Sequence, residues 1–418
     1  MIDLQEARAH VLGACTELPT TTLPIADALG CVAVDAMVAT EAVPPFDNSA
    51  VDGWAVRAAD VAGASRHSPR RLRVVGTIRA GTAPDVEAGP GRAVRIMTGA
   101  PVPRGADAIV MVEESSLVED PAGGDTEVEL YSAVQPGDAV RRAGDDLQPG
   151  DGVYPAGDVL TAGHLGVLAT FGVEQVRVVR PARVGVLSTG DELVEGPGPL
   201  APGQIRDSNR RALLALVAQA GGIAVDLGRV PDDETVIEAA LRHGVDTCDA
   251  LLTSGGVSMG DFDYVKAVLD RLGDMRWMQV AIRPAKPLAF GTVERASGDE
   301  PRRVPVFGLP GNPVSSVVSF ELFARPALRK MMGHRADDLD RPRVLAVADE
   351  ALRRRPDGKI HFARVVATIG PDGREHVRSA GGQGSHQLSA LVGANALAVV
   401  PDGDGVAAGG DVEVLLTR

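Results

Sequence analysis

The residues between Leu251 and Ser316 have the types and spacing best suited to chemistry. Three Gly- or Pro-rich segments follow one another there: LLTSGGVSMGDFDYVK, AIRPAKPLAFG and VFGLPGNPVSS. The first and third each follow a short apolar run and open into a helical pattern. Backbone N–H groups at such strand-to-helix turns can face an anion, and the helix dipole favours negative charge there. Arg283 and Lys286 stand between the two turns. Together they point to a site for a phosphorylated or oxyanionic ligand.

Other segments offer partners for that site. Val186–Glu192 ends a strand in a polar turn, with donors at Ser188, Thr189 and Gly190 and carboxylates at Asp191 and Glu192. Asp232, Asp261 and Asp263 lie near the ends of the next strands. Carboxylates beside phosphate-binding loops need a divalent cation to coexist with the anion. Each Asp taken singly reads first as a helix cap, Asp232 or Asp233 before one helix and Asp261 before another. Their shared place at strand ends favours a site for the group. Phe46–Trp54 (FDNSAVDGW) is a tight polar turn, with Trp54 in a core or at a site. Thr98 and Gly99 could donate to an anion or only end a strand. Arg141–Asp146 reads as a solvated ion-pair cluster. His164, His243, His361 and His386 are too scattered to nominate a metal site. Ser188 lacks a GxSxG context. GxxxxGK[ST] and a strand-borne GxGxxG are missing, which argues against a P-loop NTPase and a Rossmann dehydrogenase.

These segments need a scaffold. At 418 residues the chain is long enough for two to four domains. Leu4, Ala7, Val11 and Leu12 mark one face of an N-terminal helix. A Thr/Pro turn and a second, Ala-rich helical stretch follow. From about Phe46 the chain becomes rich in Gly, Pro and Val in short alternating runs, the pattern of a small barrel or sandwich. A helix near Thr161–Thr170 returns it to the first domain. From Ala182 strands and helices alternate. RVGVLST, IAVDLGRV, ALLTSGG and VPVFGLP are strands; Ser208–Ala220, Asp233–Arg242, Asp261–Leu272 and Ser315–Lys330 are helices. That rhythm predicts a doubly wound, mainly parallel sheet, whose ligands bind outside the carboxyl ends of the strands. After Met332 short strands return. The expected class is multidomain α+β. A central α/β domain (181–331) is joined by a discontinuous N-terminal, dimer-forming domain (1–45 and 147–180). An inserted β-rich domain (46–146) and a barrel-like C-terminal β domain (332–418) complete it.

A net charge of −14 without a basic tract excludes nucleic acid and anionic membranes as natural partners. Local donors or a bridging cation must then attract any anionic ligand. Cys15, Cys31 and Cys248 have no zinc-ligand spacing and read as free thiols of a reducing compartment. The start MIDLQEARAHVLGAC does not read as a signal peptide, and no run of about 18 apolar residues is present. The expected location is the cytoplasm.

Nine segments in order resemble the MoeA family, the molybdopterin molybdenumtransferases of molybdenum-cofactor biosynthesis. They are PPFDNSAVDGWAV, RIMTGAPVPRGADAIVMVEE, RRAGDD, GVLSTGDELV, GQIRDSN, TSGGVSMGDFDYVK, AIRPAKPLAFG, GLPGNPVSS and GGQGSH. The resemblance spreads over nearly the whole chain and extends to the gephyrin E domain. It implies a MogA-like central domain, four domains per subunit and a homodimer. The implied reaction inserts molybdenum from molybdate into adenylylated molybdopterin (molybdopterin-AMP) and releases AMP, with Mg²⁺ as the cation. A molybdopterin adenylyltransferase and molybdoenzyme chaperones are further implied partners. By match to the family motifs, Asp52, Thr98, Asp146, Glu192, Asp232 and Asp263 are the catalytic positions. Glu192, Asp232 and Asp263 form the metal side. Ser188, Thr189, Gly190, Ser254, Gly255, Gly256, Ser258, Pro310, Gly311, Asn312 and Pro313 bind phosphate or pterin edges. Arg283 and Lys286, with Ser385, take the oxyanion, Arg364 matches a substrate- or anion-binding position of the C-terminal domain, and Asp52 and Thr98 come from the partner subunit. Two departures stand out. Gln279 replaces a basic residue, and Arg283 offers a planar fork where the family has a lysine point charge. Three other readings remain: a molybdopterin adenylyltransferase, a non-catalytic scaffold, and a paralogue handling tungstate or another pterin.

Overall fold

The computed structural model describes residues 1–118, 126–255, 264–295 and 302–417. Its chain falls into two compact units. The first comprises Met1–Asp35, Gly157–Gly166 and Glu174–Arg418; the second comprises Ala36–Ala156 and Val167–Val173.

The first unit contains a six-stranded sheet in the order Ile223–Val230, Arg183–Thr189, Ala250–Ser254, Arg302–Leu309, Pro287–Arg295, Gly273–Gln279. The first four strands are parallel, as their apolar runs and intervening helices require. The last two are antiparallel. The sheet is thus mainly parallel, as expected, and the RPAKPLAFG segment runs from its turn into one of the antiparallel strands. Arg183–Thr189 and Ile223–Val230 match the expected strands residue for residue. The helix before Gly221 covers Asn209–Gln219, and the next covers Glu234–Thr247 with Asp233 capping Val236 N–H. The long helix after the GLPGNP segment runs Pro313–Ser319, widens through a π turn at Phe320–Ala324 and continues over Arg325–Met331. Both faces of the sheet are packed. Phe290 and Phe307, wholly buried, meet at 4.9 Å on one face, and Leu187, Val265 and Val306 pack on the other.

The N-terminal helix Leu4–Gly13 buries Leu4, Ala7 and Val11 on that first face, as its spacing predicts. The expected second, Ala-rich helix does not form. The expected Thr/Pro turn is instead the strand Thr20–Pro24, antiparallel to Gln175–Val179, and the Ala-rich stretch after it forms only a 3₁₀ turn at Ile25–Asp27. Three successive β-branched threonines favour the extended chain, and a strand partner is at hand to satisfy it. The helix near Thr161 forms over Ala162–Thr170.

The C-terminal strands close into a five-stranded barrel in the order Ile360–Ile369, Glu375–Ser379, Arg343–Ala348, Asp411–Leu416, Ala396–Val400 and back to Ile360–Ile369. Closure leaves no free edge within that ring. A sixth strand, Ile282–Arg283, lies parallel to Ile360–His361. It carries the RPAKP segment onto the barrel.

The second unit is built on one six-stranded sheet, ordered Ala108–Met111, Gly53–Val56, Arg92–Ile96, Arg70–Ile78, Glu127–Leu130, Ser115–Val118. Alternate residues feed two cores. Trp54, Val56, Ala93 and Val110 face one side, and Ala55, Val94, Ile96 and Ile109 the other. Among the described residues the pairing order is open, where the sequence led us to expect a barrel or sandwich.

Phe307→Ala removes a ring at the centre of the sheet packing and should cost about 3–5 kcal/mol. Urea unfolding followed by circular dichroism should show the midpoint fall with little change in slope; an unchanged midpoint would place the core elsewhere.

Candidate active site

The parallel strands end together, and their turns build a cavity of about 390 Å³. Its walls include Thr189, Glu192, Asn209, Ser254, Gly255, Gly311, Asn312 and Pro313. One side chain fastens the two main turns. The Asn209 amide donates to Ser254 Oγ at 2.8 Å and to the Gly311 carbonyl at 2.7 Å. Asn209 opens its helix after Ser208, which makes no capping bond of its own. The sequence offered either residue as a cap; Asn209 instead spends its donors across two strands. Gly255 has φ +95, a left-handed conformation open to glycine, and its N–H donates to the Leu309 carbonyl at 3.1 Å. Strand alternation separates two predicted donors. Thr189 lines the cavity, whereas Ser188 is wholly buried and its hydroxyl has no partner among the described residues. Gly256, Ser258, Asp261 and Asp263 lie outside the described residues.

The acidic residues gather at the same strand ends. Asp191 N–H donates to Asp232 at 3.4 Å, and Asp232 N–H donates to Asp191 at 3.2 Å. This reciprocal bridge joins the turns after two neighbouring strands. Glu192 folds back over Gly190, so that a Cβ on Gly190 would stand 2.4 Å from its carboxylate. Glu192 and Asp232 are exposed and form no ion pair among the described residues. A flap follows, with Leu193–Val194 parallel to Ile205–Arg206. The buried Arg210 guanidinium anchors its base, pairing with Glu195 and Asp226 and donating to Asp207 at 3.0 Å. Sequence reasoning missed Arg210, whose only signal was its place beside the RDSN segment. Among the described residues no group of three or more His, Cys, Asp or Glu is spaced to hold a metal ion.

A second cavity, about 310 Å³, adjoins the first at Asn312. Arg283, Lys286, Lys359, Pro310, Ser315 and Ser385 are among its walls. The RPAKP turn places both predicted cations there, with Ala285 held at φ +74. Lys359 comes from the barrel and was not foreseen. Its ammonium lies 3.0 Å from Asp357, which also faces Arg283 at 4.0 Å and His361 at 3.2 Å. Burial opposes charge on Asp357, but hydrogen bonds from Lys359 and His361 and their charges hold its carboxyl down to about 2. Gln279 lies on the edge strand opposite Pro287 and does not line this cavity.

Arg364 is wholly buried and does not reach this second cavity. It donates to the carbonyls of Gly382 at 2.7 Å and Gly384 at 3.1 Å, its Nε has no partner among the described residues, and it lines a neighbouring cavity of about 470 Å³. Its visible work is to prop the GGQGSH loop. That loop in turn accepts the Val314 N–H on the Ser385 carbonyl at 3.0 Å.

In the second unit, Asp52 and Thr98 meet. The Thr98 N–H and hydroxyl both donate to Asp52 Oδ1, at 2.7 and 2.8 Å. The backbone bond first, then the hydroxyl, hold the Asp52 carboxyl below the usual carboxylate range. Thr98 is therefore a donor to Asp52 rather than a free anion donor. Trp54 is core, its indole N–H bonded to Ser115 at 2.8 Å. Asp47 binds Arg142 at 2.6 Å and the Ala143 N–H at 2.9 Å. It stitches the RRAGDD segment to the FDNS turn. Asp146, exposed, follows that stitch, its N–H on the Val43 carbonyl at 2.9 Å.

Comparison with known proteins agrees with this architecture. Residues 2–172 match the family model of the MoeA N-terminal region (domain I and II). Residues 185–330 match a probable molybdopterin binding domain. Residues 347–417 match the MoeA C-terminal region (domain IV). The chain is 38% identical over 414 residues to a molybdopterin molybdenumtransferase of Haemophilus influenzae, covering 98% of this chain and 97% of that protein. It is 35% identical to the molybdopterin molybdenumtransferase of Bacillus subtilis, covering 100% and 94%. The crystal structure of a molybdopterin biosynthesis MoeA protein from Pyrococcus horikosii superposes with a TM-score of 0.72 at 30% identity, covering 100% of this chain and 99% of that one. Strand-end turns set against a closed barrel thus define a multidomain transferase of cofactor assembly. The chain belongs to the MoeA family of molybdopterin molybdenumtransferases.

Asn209→Ala and the isosteric Asn209→Asp both delete the donors that join Ser254 to Gly311. Each should cost about 1–3 kcal/mol in thermal unfolding, the charged variant no less than the smaller one. A wild-type melting temperature in Asn209→Asp would mean that the two turns hold their places without the bridge.

Proposed function

We propose that this chain inserts molybdenum into molybdopterin, taking molybdate and adenylylated molybdopterin and releasing AMP. The observation that carries the reading is the pair of cavities that meet at Asn312. One has hydroxyl and backbone donors and the Glu192 carboxylate on its walls, and the other has cations. Their chemistry divides as the two substrates do. The turns at Thr189–Gly190, Ser254–Gly255 and Gly311–Pro313 face phosphate and pterin edges, with the Thr189 and Ser254 hydroxyls and the Gly311 and Asn312 N–H groups as the donors. Arg283, Lys286 and Ser385 hold the tetrahedral oxyanion, against a chain whose net charge is −14.

Mg²⁺ fits the donor set. Glu192 and Asp232 are exposed hard oxygen donors near the strand ends with no ion pair among the described residues, and this ion is commonly held by one or two carboxylates together with substrate phosphate. Bound there, Mg²⁺ would neutralise phosphate charge and polarise phosphorus. The chain itself provides alignment and electrostatics, with no protein nucleophile required. Glu192 is aimed by the Gly190 turn and Asp232 by its bridge to Asp191. The Asp52–Thr98 pair belongs to the second unit, and we assign its contribution to a partner subunit of a homodimer. A reducing, cytoplasmic setting is part of the reading. Cys15, Cys31 and Cys248 are free thiols, and burial pushes Cys15 up to about 12. Among the described residues no helix is long and apolar enough to cross a membrane.

The direct test incubates the purified protein with molybdopterin-AMP, Mg²⁺ and molybdate or tungstate, scoring AMP release and metal-loaded cofactor. AMP release should require the oxyanion. Lys286→Met should raise the KM for molybdate about tenfold with the KM for molybdopterin-AMP unchanged, and Asp232→Asn should lower kcat about tenfold or more. Oxyanion-independent adenylylation of molybdopterin from ATP would contradict the assignment.

A further inference from the structure

The cationic cavity holds a lysine that no sequence motif announced. Lys359 stands one residue before the strand Ile360–Ile369, and the pairing of Ile282–Arg283 with Ile360–His361 sets it beside Arg283. Both line the cavity with Lys286 and Ser385. Both are also drawn to one oxygen of Asp357, Oδ2, at 3.0 Å from Lys359 and 4.0 Å from Arg283. The other oxygen, Oδ1, serves Arg354 at 2.7 Å, and His361 Nε2 lies between the two, 3.2 Å from Oδ1 and 3.3 Å from Oδ2.

These cations differ in freedom. Arg354 is 3% exposed and donates also to Asp402 and to the carbonyls of Lys359, Val400 and Pro401, so it cannot leave. His361 is fixed in the barrel strand. Lys359 and Arg283 have no other side-chain partner among the described residues. The turn between them does not depend on the Asp357 charge, because Asp402 accepts the N–H groups of Asp357 and Gly358 at 3.0 and 3.1 Å. A tetrahedral dianion carries twice the charge of this carboxylate and offers four oxygens, so it competes well for two cations at its side.

We propose that Lys359 is an oxyanion-binding residue and that Asp357 is its exchangeable counter-ion, which holds Lys359 and Arg283 until a tetrahedral dianion takes them. The inference rests on the reading of this cavity as the oxyanion side. It adds the residue from the barrel that meets the dianion opposite Lys286. It also gives a reason for the barrel to be joined to the RPAKP segment by a strand pairing.

The test is calorimetric titration of the full chain with molybdate alone, with tungstate and sulfate as parallel arms. Lys359→Met should weaken molybdate binding about tenfold or more, and Lys359→Arg should restore part of it. Asp357→Asn, which keeps an acceptor for Arg354, should tighten binding severalfold. Opposite signs are the signature, since a purely structural role would weaken binding in both variants. Thermal melts check that each variant folds. If Lys286→Met weakens binding while Lys359→Met and Asp357→Asn leave it unchanged, or if both of the latter weaken it, the inference fails alone. If Lys286→Met binds molybdate as the wild type does, the reading of the cavity fails with it.

Discussion

The Asn209 carboxamide is the joint on which the site depends. Two hydrogen bonds from one small group fix the end of the strand Ala250–Ser254 to the turn after the strand Arg302–Leu309. Neither turn is a regular element, and besides Asn209 the Gly255 N–H joins them through the Leu309 carbonyl. Gly255 is in the left-handed region, and Asn312 precedes its helix without a side-chain cap. Arg210, the next residue, buries a guanidinium among Asp207, Asp226 and Glu195, and so fixes the helix start that carries Asn209. Arg210 and Asp207 are both buried, and breaking such a pair on one side is costlier than never having built it. The acidic cluster therefore sets a neutral amide, and the neutral amide sets the loops that face the ligand.

The second dependence is topological. The parallel sheet supplies strand ends, and these explain the polar cavity without further devices. They do not explain the cationic one. That needs the antiparallel extension at the sheet edge, which ends in the RPAKP turn, and the barrel, to which Ile282–Arg283 adds as a strand. Charge is concentrated where two folds share one short segment. The protein is acidic as a whole, so such local concentration is the means by which an oxyanion can be drawn in.

Much of this was legible in the sequence. Apolar runs of five to eight residues bounded by glycine located the parallel strands, because both faces of such strands are buried and the signal is strong. The turns at their ends were equally plain. Four things were not. Thr20–Pro24 sits in an Ala-rich neighbourhood, and its strand state depends on a partner about 155 residues away, from Gln175 to Val179. Thr98 and Ser188 are donors by type, but one is satisfied by Asp52 and the other is turned inward by strand alternation, and no spacing rule reports either fact. Lys359 and Asp357 look like an ordinary polar turn until barrel closure brings them to Arg283. Arg364 matched a substrate- or anion-binding position by motif; its described bonds go to the loop that bears Ser385.

The central claim is that the cavity between the RPAKP turn and the barrel receives the oxyanion next to the polar cavity at the strand ends. Anomalous diffraction at the molybdenum edge from crystals soaked in molybdate tests it most directly. The account predicts a peak bounded by Arg283, Lys286 and Ser385, with Lys359 turned from Asp357 toward it. A molybdenum peak confined to another part of the molecule, with Lys359 still on Asp357, would contradict it.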